Sequence, residues 1–176
     1  MTAVPESMAK IRDLSDGFPQ AKPILDWKKE GKKVVAWVCT YVPEEVIMAA
    51  GMLPIRMSGI NRELELDQAN AYLYINTCSF ARSCLDLALQ KQYDYLDGLA
   101  AGATCDGSRR LFDGWKNYIS TPFLHILSVP RKFTEDAHEL YRLEVEEFKD
   151  HLEKFAGTKI TDQGLKEAIQ VCNETR

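Results

Sequence analysis

The sequence predicts a three-layer α/β domain: a mostly parallel sheet of four strands between helices, with further helices at the carboxyl end. Three observations predict it. Four short apolar runs recur along the middle of the chain, and they are too short to be helices. Segments of helical spacing separate them, so strands and helices alternate as in βαβ units with right-handed crossovers. The first run is rich in β-branched residues and apolar throughout, as a strand covered on both faces must be.

That first run is Lys33 to Val38, and it ends at Cys39-Thr40-Tyr41-Val42. Pro43 suits the first position of a helix, and Glu44 and Glu45 suit its positive end. The helix continues through Val46, Ile47 and Ala50 and stops at Gly51. A second strand spans Leu53 to Met57, and Pro54 places it near an edge or at a strand start. Residues 58–77 read as loop with a short helix near Asp67 to Ala71. Cys78-Ser79 opens a helix to Gln90, Leu96 to Ala101 forms a third strand, and Thr104-Cys105-Asp106 opens another helix. Pro122 to Leu127 makes the fourth strand.

Ahead of these elements, residues 1–32 read as a polar helical segment with an apolar patch at Ile24, Leu25 and Trp27. Lys28, Lys29, Lys32 and Lys33 are interrupted by Glu30 and Gly31 and read as a solvated helix end and turn. After them, residues 132–176 form a helical extension beyond the lobe at 33–131. Thr134 caps a long helix with Glu135 and Asp136 in its first turn, and Tyr141, Val145, Phe148, Leu152 and Phe155 mark its buried stripe. Thr161 begins a last helix with Leu165, Ala168, Ile169 and Cys172 on one face. It is still running at Arg176 without a cap or glycine, as expected of a partial chain.

Bulk properties narrow the function classes. A net charge of −4 and the lack of a dense basic face argue against nucleic acid as a partner. No apolar run reaches the roughly twenty residues of a membrane span, and the start lacks the pattern of a signal peptide. The chain therefore reads as cytoplasmic. There its five cysteines are ligands, nucleophiles or small core residues rather than disulfide partners.

In an open parallel sheet, ligands bind outside the carboxyl ends of the strands. Cys39 follows the first strand, while Cys78 and Cys105 each stand at a helix start. Three thiols separated by 39 and 27 residues can thus converge on one rim. Helix amino termini present free N–H groups and a partial positive charge, which favour a thiolate and can donate to cluster sulfurs. Arg82, Arg109 and Arg110 lie within a turn of these starts. Cys84 and Cys172 fall on apolar helical faces and read as core residues. There is no C-x-x-C pair, so spacing alone leaves Cys78 and Cys105 open between metal ligands and loop cysteines beside helix caps.

Several segments carry a resemblance in register: Cys39 to Glu45 with Ala49 to Arg56, Cys78-Ser79-Phe80-Ala81-Arg82-Ser83, Tyr93 to Gly98, Thr104 to Leu111, and the Pro-Phe-Leu-His strand. Over residues 30–131 the chain resembles the 2-hydroxyacyl-CoA dehydratase and benzoyl-CoA reductase family. The resemblance implies an oxygen-sensitive catalytic subunit with two Rossmann-like lobes and a [4Fe–4S] cluster between them, held by three cysteines. Cys78 and Cys105 match two of those ligands. The third usually comes from a second lobe that this chain lacks, and Cys39 is the candidate within it.

The resemblance also implies a homologous second subunit in a heterodimer and an ATP-dependent activator that donates a low-potential electron. The substrate is then a CoA thioester, either a 2-hydroxyacyl-CoA dehydrated through a ketyl radical or a benzoyl-CoA reduced in its ring. Thr40 matches a position where a hydroxyl faces the cluster pocket. Glu44 and Glu45 are acid–base candidates, against the plainer reading as acids compensating a helix dipole. Asp106 reads as a helix cap, Arg109 and Arg110 as solvated or else facing CoA phosphates or an electron-donating partner, and His125 as a hydrogen-bonded core residue. His138 and His151 read as facing water. Two rival readings stand beside this one: a cluster-free α/β binding or assembly module of the same fold, and a thiol-sensing protein using Cys78 or Cys105. With one lobe present, this chain alone is expected to be inactive.

Overall fold

The computed structural model describes residues 6–59 and 66–175. Two helices, α1 (Glu6–Gly17) and α2 (Lys22–Lys29), precede strand β1 (Val34–Val38). Then come α3 (Glu44–Ala49), β2 (Leu53–Arg56), α4 (Asp67–Asn70), α5 (Ser79–Leu89), β3 (Gly98–Gly102), α6 (Asp106–Tyr118) and β4 (Phe123–Leu127). Helices α7 (Glu135–Ala156) and α8 (Asp162–Thr175) follow. Residues 1–5, residues 60–65 of the expected 58–77 connection, and residue 176 lie outside the described residues. Among the described residues no helix is long and apolar enough to cross a membrane.

All four strands are parallel, in the order β2-β1-β3-β4, with Val35 opposite Gly98 and Gly98 opposite Phe123. The expected edge position of the Pro54 strand is met, since β2 is a sheet edge. β1 and β3 lie at the centre and are buried at every residue. Side chains alternate across the pleat. Val34, Ala36 and Val38 meet Leu85 of α5 and Leu111 and Trp115 of α6 on one face. Val35 and Trp37 meet Val46 and Ile47 of α3 and Phe148 and Leu152 of α7 on the other. Each large side chain so buried contributes roughly 1.5–3 kcal/mol, so these two faces hold the three layers of a Rossmann-like fold together. A methyl group on Gly98 would fall 2.7 Å from Phe123 Cβ, so β3 must begin with glycine for β4 to pack beside it.

Local boundaries differ modestly from expectation. Pro43 is the N-cap of α3 rather than its first residue, and β3 begins at Gly98, after a turn closed by a hydrogen bond from Leu96 N to Tyr93 O. In α8, Ala168 and Cys172 are buried while Ile169 is exposed, so the stripe is narrower than its spacing suggests. The lysine cluster is not wholly solvated. Lys28 Nζ pairs with Asp97 (2.9 and 2.7 Å to its two oxygens), and Asp97 also accepts from Val34 N at 2.7 Å. Lys33 Nζ donates to Phe155 O and lies over that residue's ring. One carboxylate thus ties α2, the start of β1 and the approach to β3, which no sequence window could reveal.

Two further buried polar groups organise the helices. Asp86 in α5 is fully buried and accepts from Ala69 N of α4 at 2.8 Å and from Gln90 Nε2. Glu153 near the end of α7 accepts from Lys149, Lys159 and Ile160 N, and these donors pull its carboxyl down to about 2. His138 is exposed, and His151 also faces water in part, with 42% of its side chain exposed, although its inner ring nitrogen meets a buried partner. His151 Nδ1 lies 3.0 Å from Nδ1 of the buried His125 on β4, because α7 crosses that strand and the turn facing it carries His151. Burial holds His125 below its ordinary value, His151 adds to this, and Glu147 and Glu144 oppose it.

Two outcomes follow. Replacing Asp97 by alanine strands the Val34 N–H and the Lys28 ammonium, and is expected to cost about 1–3 kcal/mol in the denaturant midpoint; Asp97→Asn should cost less. Because folding depresses His125, the unfolded chain takes up the proton first as pH drops below about 6.5. Stability present at pH 7.5 should therefore fall on acidification through that value. A melting temperature whose fall between those conditions is the same in His125→Phe would show that the pair does not carry the effect.

Candidate functional site

Helix α3 leaves β1 towards one face of the sheet, whereas α6 leaves β3 towards the other. Adjacent strands whose helices diverge open a crevice at their carboxyl ends, which is where ligands bind in such sheets. A cavity of about 340 Å³ lies there. Cys39, Cys78 and Cys105 all line it, together with Thr40 and Thr104, while Met57, Phe80 and Leu111 give it apolar walls. The convergence expected of three distant thiols is therefore present at the level of one cavity.

Each thiol is placed by different means. Cys39 directly follows β1 with φ +80°, a left-handed conformation that costs a side-chain-bearing residue about 1–2 kcal/mol. Its Sγ accepts from Thr104 Oγ1 at 3.2 Å, a contact between two strand ends. Cys105 is the N-cap of α6, and its Sγ accepts from Ser108 N at 3.4 Å. Ser108 is itself buried and donates its hydroxyl to Gly102 O at 2.7 Å, fixing the first turn of α6 to the end of β3.

Cys78 is the N-cap of α5, is exposed, and makes no capping bond of its own. Its Sγ stands 2.7 Å from the place where a Cβ of Gly107 would be. The first turn of α6 therefore meets both sulfurs: Cys105 caps it, and Cys78 lies against the bare backbone of its second residue. Only glycine permits that approach.

The other candidates fall at varying distances from this cavity. Thr40 is exposed on its wall. Glu45 sits in the first turn of α3, half-buried, and helps to raise the phenol of Tyr141 on α7, a direction set first by burial and then by Cys39. It does not line the thiol cavity. Asp106 and Arg110 pair with each other on the outer face of α6, and Arg109 donates to Ala103 O. Cys84 is buried, and burial above all, with Cys78 adding to it, pushes its thiol up to about 12, so it is a core residue as its helical face predicts. Cys172 is buried as well.

Sequence reading did not single out Thr104, Ser108 or Gly107. The pattern Thr-Cys-Asp-Gly-Ser, with glycine in the first turn of a helix where it lowers propensity, was the available signal. Among the described residues, no group of three or more His, Cys, Asp or Glu side chains is arranged to hold a metal ion. Two soft sulfur donors beside one helix start do suit part of a thiophilic centre.

Comparison with known proteins bears directly on this rim. Residues 39–176 match the family model described as 2-hydroxyglutaryl-CoA dehydratase, D-component. A benzoyl-CoA reductase subunit of Thauera aromatica is 35% identical over 153 residues, covering 85% of this chain and 40% of that protein. The (R)-phenyllactyl-CoA dehydratase beta subunit of Clostridium sporogenes is 31% identical over 85% of this chain and 40% of its own. The beta subunit of (R)-2-hydroxyglutaryl-CoA dehydratase from Acidaminococcus fermentans is 30% identical over 87% and 41%. The chain spans about two fifths of the length of these relatives. A parallel sheet with its thiols gathered at the diverging strand ends, and a family match from Cys39 onwards, place it together: the chain belongs to the 2-hydroxyacyl-CoA dehydratase and benzoyl-CoA reductase family.

Proposed function

We propose that the chain is the cluster-binding lobe of a beta-type subunit of a CoA-thioester dehydratase or reductase, working in the cytoplasm. The observation that carries this is the shared placement of Cys78 and Cys105 about the first turn of α6, at the wall of one cavity. Cys78 and Cys105 would hold a [4Fe–4S] cluster, with Cys39 as the third ligand from this chain or with a ligand from elsewhere in the complex. When bound, such a cluster supplies low-potential one-electron chemistry to a thioester. A homologous partner subunit and an ATP-dependent electron donor complete the reading, and the relatives' designations as subunits support the first of these.

The chain's own residues then have definable tasks. Ser108 N–H donates to the Cys105 sulfur, and Thr104 Oγ1 to that of Cys39, both of which stabilise negative charge on sulfur. Met57 and Leu111, both buried, keep water from the inner side of the cavity, while Phe80 forms an exposed part of its wall. Thr40 offers a hydroxyl at the mouth. Glu45, in the first turn of α3 and outside the thiol cavity, is better placed to compensate the α3 dipole than to exchange protons there.

Anaerobic purification followed by iron, sulfide and absorption analysis tests the reading. Iron and sulfide in stoichiometric proportion are expected, with both lost in Cys78→Ser and in Cys105→Ser. A colourless, iron-free product after reconstitution would favour the cluster-free module instead. Gly107→Ala gives a second measure. Its new methyl must displace the Cys78 sulfur, so metal binding should weaken by about tenfold or more. The helix itself should be no less stable, since alanine outranks glycine within helices.

A further inference from the structure

We infer that Arg82 is a positioning residue of the thiol site: its forked side chain fastens the connection that carries Cys78, and so sets where that sulfur stands. The inference rests on the reading of Cys78 and Cys105 as joint metal ligands, and it adds the residue that brings the first to the second.

Arg82 lies four residues after Cys78, at the end of the first turn of α5, and its backbone N–H donates to Cys78 O at 3.2 Å. That place is unfavourable for a cation, because the amino end of a helix already carries partial positive charge. No acidic residue shares the first turn with it. Asp86 stands four residues further on, at the usual spacing for an ion pair, but accepts instead from Ala69 N and Gln90 Nε2. The Arg82 Nε is buried and has no acceptor among the described residues. The stability of its own helix does not explain an arginine here.

Its two outer nitrogens do. Nη2 donates to Asn70 Oδ1 at the end of α4, and Nη1 to Ile75 O at 3.4 Å. The planar fork thus joins two points of the connection, five residues apart, to α5. Little else holds the later part. Leu73 is buried, but none of residues 74–78 is, and Tyr74 and Ile75 are 73% and 68% exposed. Tyr72 packs on Tyr118 of α6 with ring centroids 4.2 Å apart, which steadies the earlier part only. Cys78 makes no capping bond, yet its Sγ must come to rest against the Gly107 backbone. Arg82 does not line the thiol cavity, so it acts through the position of Cys78 and not on a ligand.

The test uses the reduced, iron-free chain. Hydrogen exchange reads the connection, and anaerobic titration with Cd²⁺, followed by thiolate-to-cadmium absorption, reads the sulfurs. In Arg82→Gln, exchange should quicken over residues 74–78 but not in β3 or α6, and cadmium affinity should fall by about tenfold. Arg82→Lys reaches one acceptor at a time and should recover part of both. Asn70→Ala, an exposed change that removes one acceptor, should move both readouts the same way by less, and it guards against a folding defect at Arg82. Circular dichroism verifies each fold. Unchanged exchange at 74–78 or unchanged cadmium affinity in Arg82→Gln overturns the inference. Exchange that quickens equally in β3 and α6 makes Arg82 a residue of the general fold and overturns it too, as does a native chain that takes up no cadmium. Failure of the cluster reading looks different: a chain that binds cadmium through both sulfurs yet assembles no iron and sulfide keeps the role of Arg82 and loses the cluster.

Discussion

The arrangement depends on one constraint, the burial of β1 and β3 on both faces at the centre of an all-parallel sheet. Parallel strands place their carboxyl ends on the same rim, and right-handed crossovers fix which face each following helix must cover. With α3 on one face and α5 and α6 on the other, backbone parts company beyond Val38 and Gly102. The residues that come next, Cys39 and the Thr104-Cys105 pair, have little freedom to be anywhere but in the resulting gap. Chemistry is thus assigned to these positions by topology before any side chain is chosen.

Small residues make the gap usable. β3 is Gly-Leu-Ala-Ala-Gly, narrow enough for β4 to close in at Gly98 and for the Cys39 side chain to pass Gly102. Gly107 does the same for Cys78 at the start of α6. Hydroxyls then fix what the glycines admit. Ser108 bonds to a strand carbonyl, while Thr104 reaches Cys39 from the neighbouring strand end. The energy of each such bond is modest, about 1 kcal/mol, but together they specify where two of the three sulfurs sit.

Much of this was legible in the sequence because the signals were local. The apolar run Val34 to Val38, the acids after Pro43 and the cysteines before two helix starts each spoke for themselves within a few residues. Family motifs in register then added the expectation that Cys78 and Cys105 belong together, and both line one cavity. What remained hidden involved partners far apart in the chain. The Asp97 anchor joins residues 63 and 69 positions away, and the His125–His151 contact requires knowing which turn of α7 crosses β4. The surroundings of Glu45 were hidden for the same reason. Its place at a helix start was readable, but its proximity to Tyr141, nearly a hundred residues later, was not.

The buried Asp86 carries a further consequence. By holding Ala69 N from inside α5, it pins α4 to the helix that Cys78 caps, so residues 71–78 form a loop closed at both ends. A thiol on a free connection would have to surrender its wandering each time a ligand arrived, with a matching loss of affinity. Here the connection that leads to Cys78 is ordered when the domain folds, and the interior carboxylate of Asp86 contributes to that order.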